Sequence, residues 1–197
     1  PRFYDVSCGS VTIDGTDVRE VTRHELRDQV GYVPQKSMLF SGTIASNLRL
    51  GDESASDEML NTAAEEAQAS EFINKNANGL DAAISQGGAN VSGGQKQRLS
   101  IARALVKDPN IYVFDDSFSA LDFKTDAKLR AAIREQTKDK TVLIIAQRVG
   151  TIMDADQIIV LDEGKIVGKG THKELMESCE TYREIALSQL SEEELQS

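Results

Sequence analysis

The run Val91-Ser92-Gly93-Gly94-Gln95, continuing into Lys96-Gln97-Arg98-Leu99-Ser100-Ile101-Ala102-Arg103-Ala104, combines residue types that can grip an anion. Two glycines let backbone N–H groups approach a phosphate closely, Ser92 adds a hydroxyl donor, and the positive end of the helix that follows faces the same point. A glycine turn that merely caps a helix uses the same letters, so the neighbouring sequence has to decide. After the breaker pair Asp108-Pro109 comes Ile111-Tyr112-Val113-Phe114-Asp115-Asp116, four apolar residues ending in two carboxylates. Such a run fits a central strand buried on both faces. Carboxylates at its C-terminal end fall where open parallel sheets place ligands.

The first run resembles the signature motif of ABC-transporter ATPases, and the stretch from Ile111 to Asp122 resembles a Walker B strand followed by a D-loop, here Ser119-Ala120-Leu121-Asp122. The resemblance implies ATP as substrate and Mg2+ as cofactor. It gives Asp115 the magnesium ion, held through water, and puts Asp116 where the family usually has a glutamate that positions or polarises the attacking water. Gln35, after Tyr32-Val33-Pro34, resembles the Q-loop glutamine that reaches the metal and that water. A second apolar run, Thr141-Val142-Leu143-Ile144-Ile145-Ala146, reads as another parallel strand and leads to Gln147-Arg148, where the family's switch normally carries histidine. Asp116 is one methylene short, and Gln147 can hydrogen-bond a γ-phosphate but cannot carry a proton at neutral pH. Losing a well-placed general base costs ~10²–10⁴-fold in rate. The pair therefore implies a degenerate site of the kind found in heterodimeric ABC exporters.

In this family two ATPase domains meet head to tail, so the implied partner is a second ABC ATPase domain, a different subunit, whose nucleotide is bound in trans by Ser92, Gly93, Gly94 and Gln95. The segment Ser37-Met38-Leu39-Phe40-Ser41-Gly42-Thr43-Ile44-Ala45-Ser46-Asn47-Leu48 matches the exporter surface that receives coupling helices of a transmembrane domain. Met38, Leu39 and Phe40 read either as core or, where exposed, as that contact. Ile84-Ser85-Gln86-Gly87-Gly88 resembles the exporter X-loop, with Gln86 where an acidic residue is frequent. No G-x-x-x-x-G-K-[ST] run occurs. Pro1-Arg2-Phe3-Tyr4-Asp5 resembles the end of the helix that follows a P-loop, which implies a chain truncated just after it. Weak ATP binding by the chain alone follows, as does a gap in the sheet beside residues 111–114.

The chain has 197 residues, enough for one medium domain with a core. Lys+Arg 22 against Asp+Glu 32 leaves a net charge of −10, which argues against a nucleic-acid partner. No apolar run approaches a membrane span and no leader pattern opens the chain, so a place at the cytoplasmic face of the plasma membrane comes through the transporter that the resemblance implies. Cys8 and Cys179 lack ligand-spaced neighbours and read as structural cysteines in a reducing compartment.

The elements that must position these residues suggest an α/β protein: a partial P-loop ATPase core, with a parallel sheet, flanking helices and short antiparallel strands, and an inserted α-helical signature subdomain. Residues 1–35 read as the remnant of an N-terminal β part, with a strand at residues 10–15 that ends at the turn pair Asp14-Gly15, another at 29–34, and a helical turn at His24-Glu25-Leu26-Arg27. Residues 36–107 read as the helical subdomain. There Leu60, Ala63, Ala64 and Ala67 share a face, Ser54 and Asp57 suggest a capping box, and a helix over 93–107 packs Leu99, Ala102 and Val106 before Pro109. Residues 108–197 read as the C-terminal α/β part and a helical tail. Leu129, Ala132 and Ile133 face one helix to the core, a hairpin turns at Glu163-Gly164, His172 is a surface cap residue, and the ending at 191–197 frays.

Three functions stand open at this level. The chain is the energy-coupling ATPase domain of a heterodimeric exporter, a regulatory nucleotide clamp that does not hydrolyse, or a soluble ABC ATPase of the repair or translation type. The exporter-like segment at 40–48 and the acidic charge speak against the last.

Overall fold

The computed structural model describes residues 1–190, the Phe123 side chain apart. The polar ending at 191–197 lies outside them. The described residues form two compact units, which divide between Ile145 and Ala146.

The first unit opens with β1 (Thr12–Ile13) and β2 (Thr16–Asp17), an antiparallel pair joined through Asp14 and Gly15 at φ 49° and 81°. Asp-Gly accepts these left-handed conformations cheaply, which is why the chain turns there; the strand expected over 10–15 shrinks to two residues. Next come α1 (Arg23–Asp28), capped by a Thr22–Glu25 box, and β3 (Val30–Val33). A helical region follows, made of β4 (Gly42–Thr43), α2 (Ile44–Leu48), α3 (Asp57–Glu66), α4 (Ser70–Asn74), β5 (Ala83–Ile84) and α5 (Gly93–Lys107). β6 (Ile111–Asp115), α6 (Phe123–Gln136) and β7 (Thr141–Ile145) complete the unit.

Periodicity was a sound guide to the helices. Leu60, Ala63, Ala64 and Ala67 are all buried, as are Leu99, Ala102 and Val106. The cap of α3 is a correction: Ser56, not Ser54, receives the Met59 N–H, while Ser54 turns back to Asp52. Asp57 is already the first helical residue, because the extended backbone of Ser56 lets its hydroxyl face the free N–H groups. α5 stops where Asp108 adopts a left-handed conformation ahead of Pro109.

β3, β6 and β7 form a parallel sheet in that order, with Tyr32 opposite Val113 and Asp115 opposite Ile145. Two expectations fail here. β6 is paired along both edges, so no gap lies beside residues 111–114; among the described residues the outer edges of β3 and β7 are the ones without a strand partner. Nor is β6 sealed on both faces. Tyr112 and Phe114 are buried, but Ile111 and Val113 are half-buried, and on β7 Leu143 and Ile145 are exposed. An apolar run reports the capacity to be covered on both faces, and only one face of this sheet lies fully in the core around Leu39, Leu99 and Leu129.

The second unit holds α7 (Val149–Ile152), the hairpin β8 (Ile158–Asp162) and β9 (Lys165–Gly170), α8 (His172–Ser178) and α9 (Glu180–Gln189). The hairpin turns at Glu163 and Gly164, φ 44° and 75°, as expected. Its core gathers Val149, Ile158, Val160, Leu175, Cys179, Tyr182 and Ala186. Thr171, not His172, caps α8, in a box with Glu174; His172 is the first helical residue, and its Nδ1 lies 2.8 Å from the Tyr182 hydroxyl. Cys179 is buried and Cys8 is exposed, both free thiols. No described helix is long and apolar enough to cross a membrane.

Candidate functional site

Ser92 is the N-cap of α5, held in extended conformation by a reciprocal box: its hydroxyl accepts from the Gln95 N–H at 3.3 Å, and its own N–H donates to Gln95 Oε1 at 2.9 Å. The box fixes the direction in which the helix start points and leaves the N–H groups of Gly93 and Gly94 without helical acceptors. Ser92 and Gly93 are exposed, and a Cβ on Gly93 would meet nothing within 4 Å. At Gly94 it would lie 3.3 Å from the Ala120 carbonyl and 3.5 Å from Leu121 Cδ2. Gly94 therefore serves close packing inside the chain, whereas the space at Gly93 is open to something from outside it. Arg98, one turn on, donates to the Gly94 and Gln68 carbonyls and stacks over Phe72, and burial lowers its pKa.

The carboxyl end of β6 gathers a second cluster. Asp115 Oδ2 accepts from the Tyr32 hydroxyl at 2.9 Å, and Asp116 Oδ2 accepts from Gln35 Nε2 at 3.2 Å. Burial first, then the hydrogen bond and charge of Asp115, raise the Tyr32 pKa, so its hydroxyl keeps the proton it donates. Asp116 sits at φ 45°, a left-handed backbone that Asp tolerates better than most residues. Its N–H reaches the Ile145 carbonyl at 2.8 Å and its carbonyl receives the Ser119 hydroxyl at 3.0 Å. Buried Ser117 ties the turn back to the Val33 carbonyl. Asp122, with its carboxyl held below the usual range by Thr125, caps α6 through the Thr125 N–H.

Asp115, Asp116 and the Gln35 amide are hard oxygen donors at one sheet end. Mg2+ is commonly held by one or two carboxylates together with substrate phosphates, and two adjacent carboxylates with an amide oxygen nearby are a donor set of that kind. Gln35, Asp115, Asp116 and Ser119 thus lie in one hydrogen-bonded neighbourhood, and Ala120 and Leu121 pack at Gly94. Gln147 belongs to the second unit; it is exposed, and its carbonyl accepts from Gln189 Nε2 at 2.9 Å. Tyr32 was not legible as a site residue. Only the pairing of β3 with β6 reveals it, and no local signal specifies that register.

A three-stranded parallel sheet whose central strand ends in two carboxylates, flanked by helices and short antiparallel pairs, defines the class as α/β. The particular family follows from comparison. Residues 2–119 match the model of the ABC transporter family. The chain is 49% identical over 191 residues to an uncharacterised ABC transporter ATP-binding protein of Mycobacterium bovis, covering 95% of this chain and 32% of that one. It is 44% identical over 192 residues to an ATP-dependent lipid A-core flippase of Vibrio parahaemolyticus, covering 97% and 33%. Among solved structures, a bacterial Atm1-family ABC exporter with ATP bound superposes at a TM-score of 0.94 and 40% identity, covering 97% of this chain and 34% of that one. The chain belongs to the ABC transporter family, and it spans about a third of the length of the curated relatives it matches.

Proposed function

We propose that this chain is the ATPase domain of an ABC exporter, working head to tail with a second, different ATPase subunit at the cytoplasmic face of the plasma membrane. It lends Ser92, Gly93, Gly94 and Gln95 to the nucleotide seated on its partner. Its own Asp115 and Gln35 hold Mg2+, which when bound shields phosphate charge, and Asp116 and Gln147 take the positions that handle the attacking water. The D-loop, Ser119 to Asp122, links the two by packing Ala120 and Leu121 at Gly94. The observation that carries this is the outward-facing space at Gly93, which nothing in the chain itself fills. An exporter relative with ATP bound and a lipid A-core flippase among the relatives support the transport class.

The division of labour between subunits rests on Asp116 and Gln147. A shorter carboxylate already occupied by Gln35 and a switch side chain with no titratable proton favour a site that holds nucleotide and turns it over slowly. The test is ATPase activity of the full-length heterodimer with Asp116→Asn and, separately, with the partner's corresponding carboxylate neutralised. The partner substitution should remove most turnover and Asp116→Asn little; equal losses would end the division of labour. With no P-loop run in its sequence, the chain by itself should bind ATP only weakly, and micromolar affinity by calorimetry would contradict this.

A further inference from the structure

Within the segment proposed to meet the membrane partner, Leu39 is 1% exposed while Met38 and Phe40 are 62% and 56% exposed, so two apolar side chains stand outward on a buried anchor. Polar groups hold that anchor. Asn47 of α2, itself buried, accepts the Phe40 N–H at 2.8 Å and donates to the Phe40 carbonyl at 2.8 Å and the Thr43 carbonyl at 3.0 Å. One amide side chain thus reproduces the donor and acceptor of a paired strand.

Arg103 of α5 completes the joint. Its Nε donates to the Asn47 carbonyl at 2.9 Å, Nη2 to Asn47 Oδ1 at 3.1 Å and Nη1 to the Met38 carbonyl at 3.2 Å, and the guanidinium lies 6.0 Å from the Phe40 ring centroid. None of these partners is a carboxylate, and burial alone lowers the Arg103 pKa. Withdrawing a guanidinium from water without a counter-ion is costly, so what the site exploits is the fixed fork of donors rather than the charge. Nearer the start of α5, the Ser37 hydroxyl donates to Gln97 Oε1, and the buried Gln97 Nε2 has no hydrogen-bond partner. Six residues separate the two attachments, about 9 Å along the axis and roughly 120° around it. Two attachments so placed resist both sliding and rolling of the segment on the helix. Gly51 closes the far end: a Cβ there would strike the Arg103 carbonyl and the Lys107 N–H.

We infer that Arg103 and Gln97 are positioning residues that fasten residues 37–48 to α5, so that a push on Met38 and Phe40 moves the helix start at Ser92 as one body. The source of the push, a transmembrane partner, rests on the function proposed above; the fastening does not.

Amide hydrogen exchange on the full-length protein in nanodiscs, read by mass spectrometry, tests both. The variants are Arg103→Lys, whose single ammonium cannot serve three acceptors, and Gln97→Met, which cuts the Ser37 link while removing an unpaired buried donor. Both should exchange faster at residues 37–48 and also at 92–95. Mg-ATP protection at 92–95 should no longer extend to 37–48. Should Arg103→Lys lower the melting temperature, Gln97→Met carries the comparison, since an apolar residue of similar shape suits that buried position. A variant that loosens 37–48 while 92–95 exchanges as in wild type, or one that keeps the wild-type spread of ATP protection, overturns the fastening. A wild-type protein without ATP protection at 92–95 would instead overturn the proposed function, while the nucleotide-free comparison still judges the joint.

Discussion

Gly93→Ala separates what the chain needs from what a nucleotide needs. The backbone there is the first turn of α5, outside the left-handed region, and an added Cβ meets no atom within 4 Å. Alanine should therefore stabilise the fold by about 0.4–1 kcal/mol through the lower entropy of the unfolded chain. For a protein of this size that is a rise of about 1–4 °C in melting temperature. A phosphate brought to the same N–H groups would find a methyl in its way, and losing one hydrogen bond to a charged group, ~1.5–3 kcal/mol, means roughly 10–150-fold weaker nucleotide-driven closure. The assay is the Mg-ATP concentration needed to close the full-length dimer, followed by fluorescence beside a melting curve. Gly94→Ala is the internal control: its Cβ would press on Ala120 and Leu121, so stability and closure should fall together. Alanine at 93 with unchanged ATP dependence, or with a lower melting temperature, would refute the assignment of that space to a nucleotide.

Burial, then the charges of Asp108 and Glu65, raise the Glu66 pKa, so the folded state disfavours its ionised form. Stability tied to this group is present below its unfolded pKa and lost as pH rises through the higher folded value; Glu66→Gln should therefore stabilise at pH 7, with the difference vanishing below about pH 4 in denaturant titrations. In the second unit, a Cβ on Gly168 would lie 2.7 Å from Cys179 Sγ and 3.0 Å from Leu175 Cδ2, and Gly168→Ala should cost about 1–3 kcal/mol in urea unfolding. Asp116→Glu with Gln147→His should raise ATP turnover of the full-length protein measured with the partner site silenced; no gain would mean that reach and proton handling are not what limits it.

Sequence pattern specified those parts of the molecule whose cause is local. The face of α3, the extent of α5, and the turns at Asp14-Gly15 and Glu163-Gly164 follow from periodicity and from residues that tolerate left-handed backbone. The cap of α3 was misread because Ser54, Ser56 and Asp57 all offer capping oxygens, and only the backbone direction at Ser56 selects one. Strand order was illegible for another reason. Nothing in residues 111–115 states that β3 and β7 take both edges, since pairing is a property of segments some 30 to 80 residues away. The same non-locality hid the Tyr32 bond to Asp115 and the Asn47–Arg103 joint, whose partners are 83 and 56 residues apart.

The backbone at Asp116 adds a constraint that chain length alone does not convey. An acid one methylene shorter looks like a simple loss of reach, yet the residue stands at φ 45°, with its N–H on Ile145 and its carbonyl on Ser119, directly after the strand ends. Short polar side chains relieve left-handed backbone by bonding locally, and Glu does so less well. Aspartate therefore suits this left-handed turn better than glutamate would, and its shorter carboxylate accepts from Gln35 Nε2 at 3.2 Å. Restoring glutamate should then lower stability by about 1 kcal/mol or less even as turnover rises. A variant that gains turnover at no cost in unfolding free energy would show that the turn relaxes around the longer side chain, and that the backbone at Asp116 sets no penalty on the substitution.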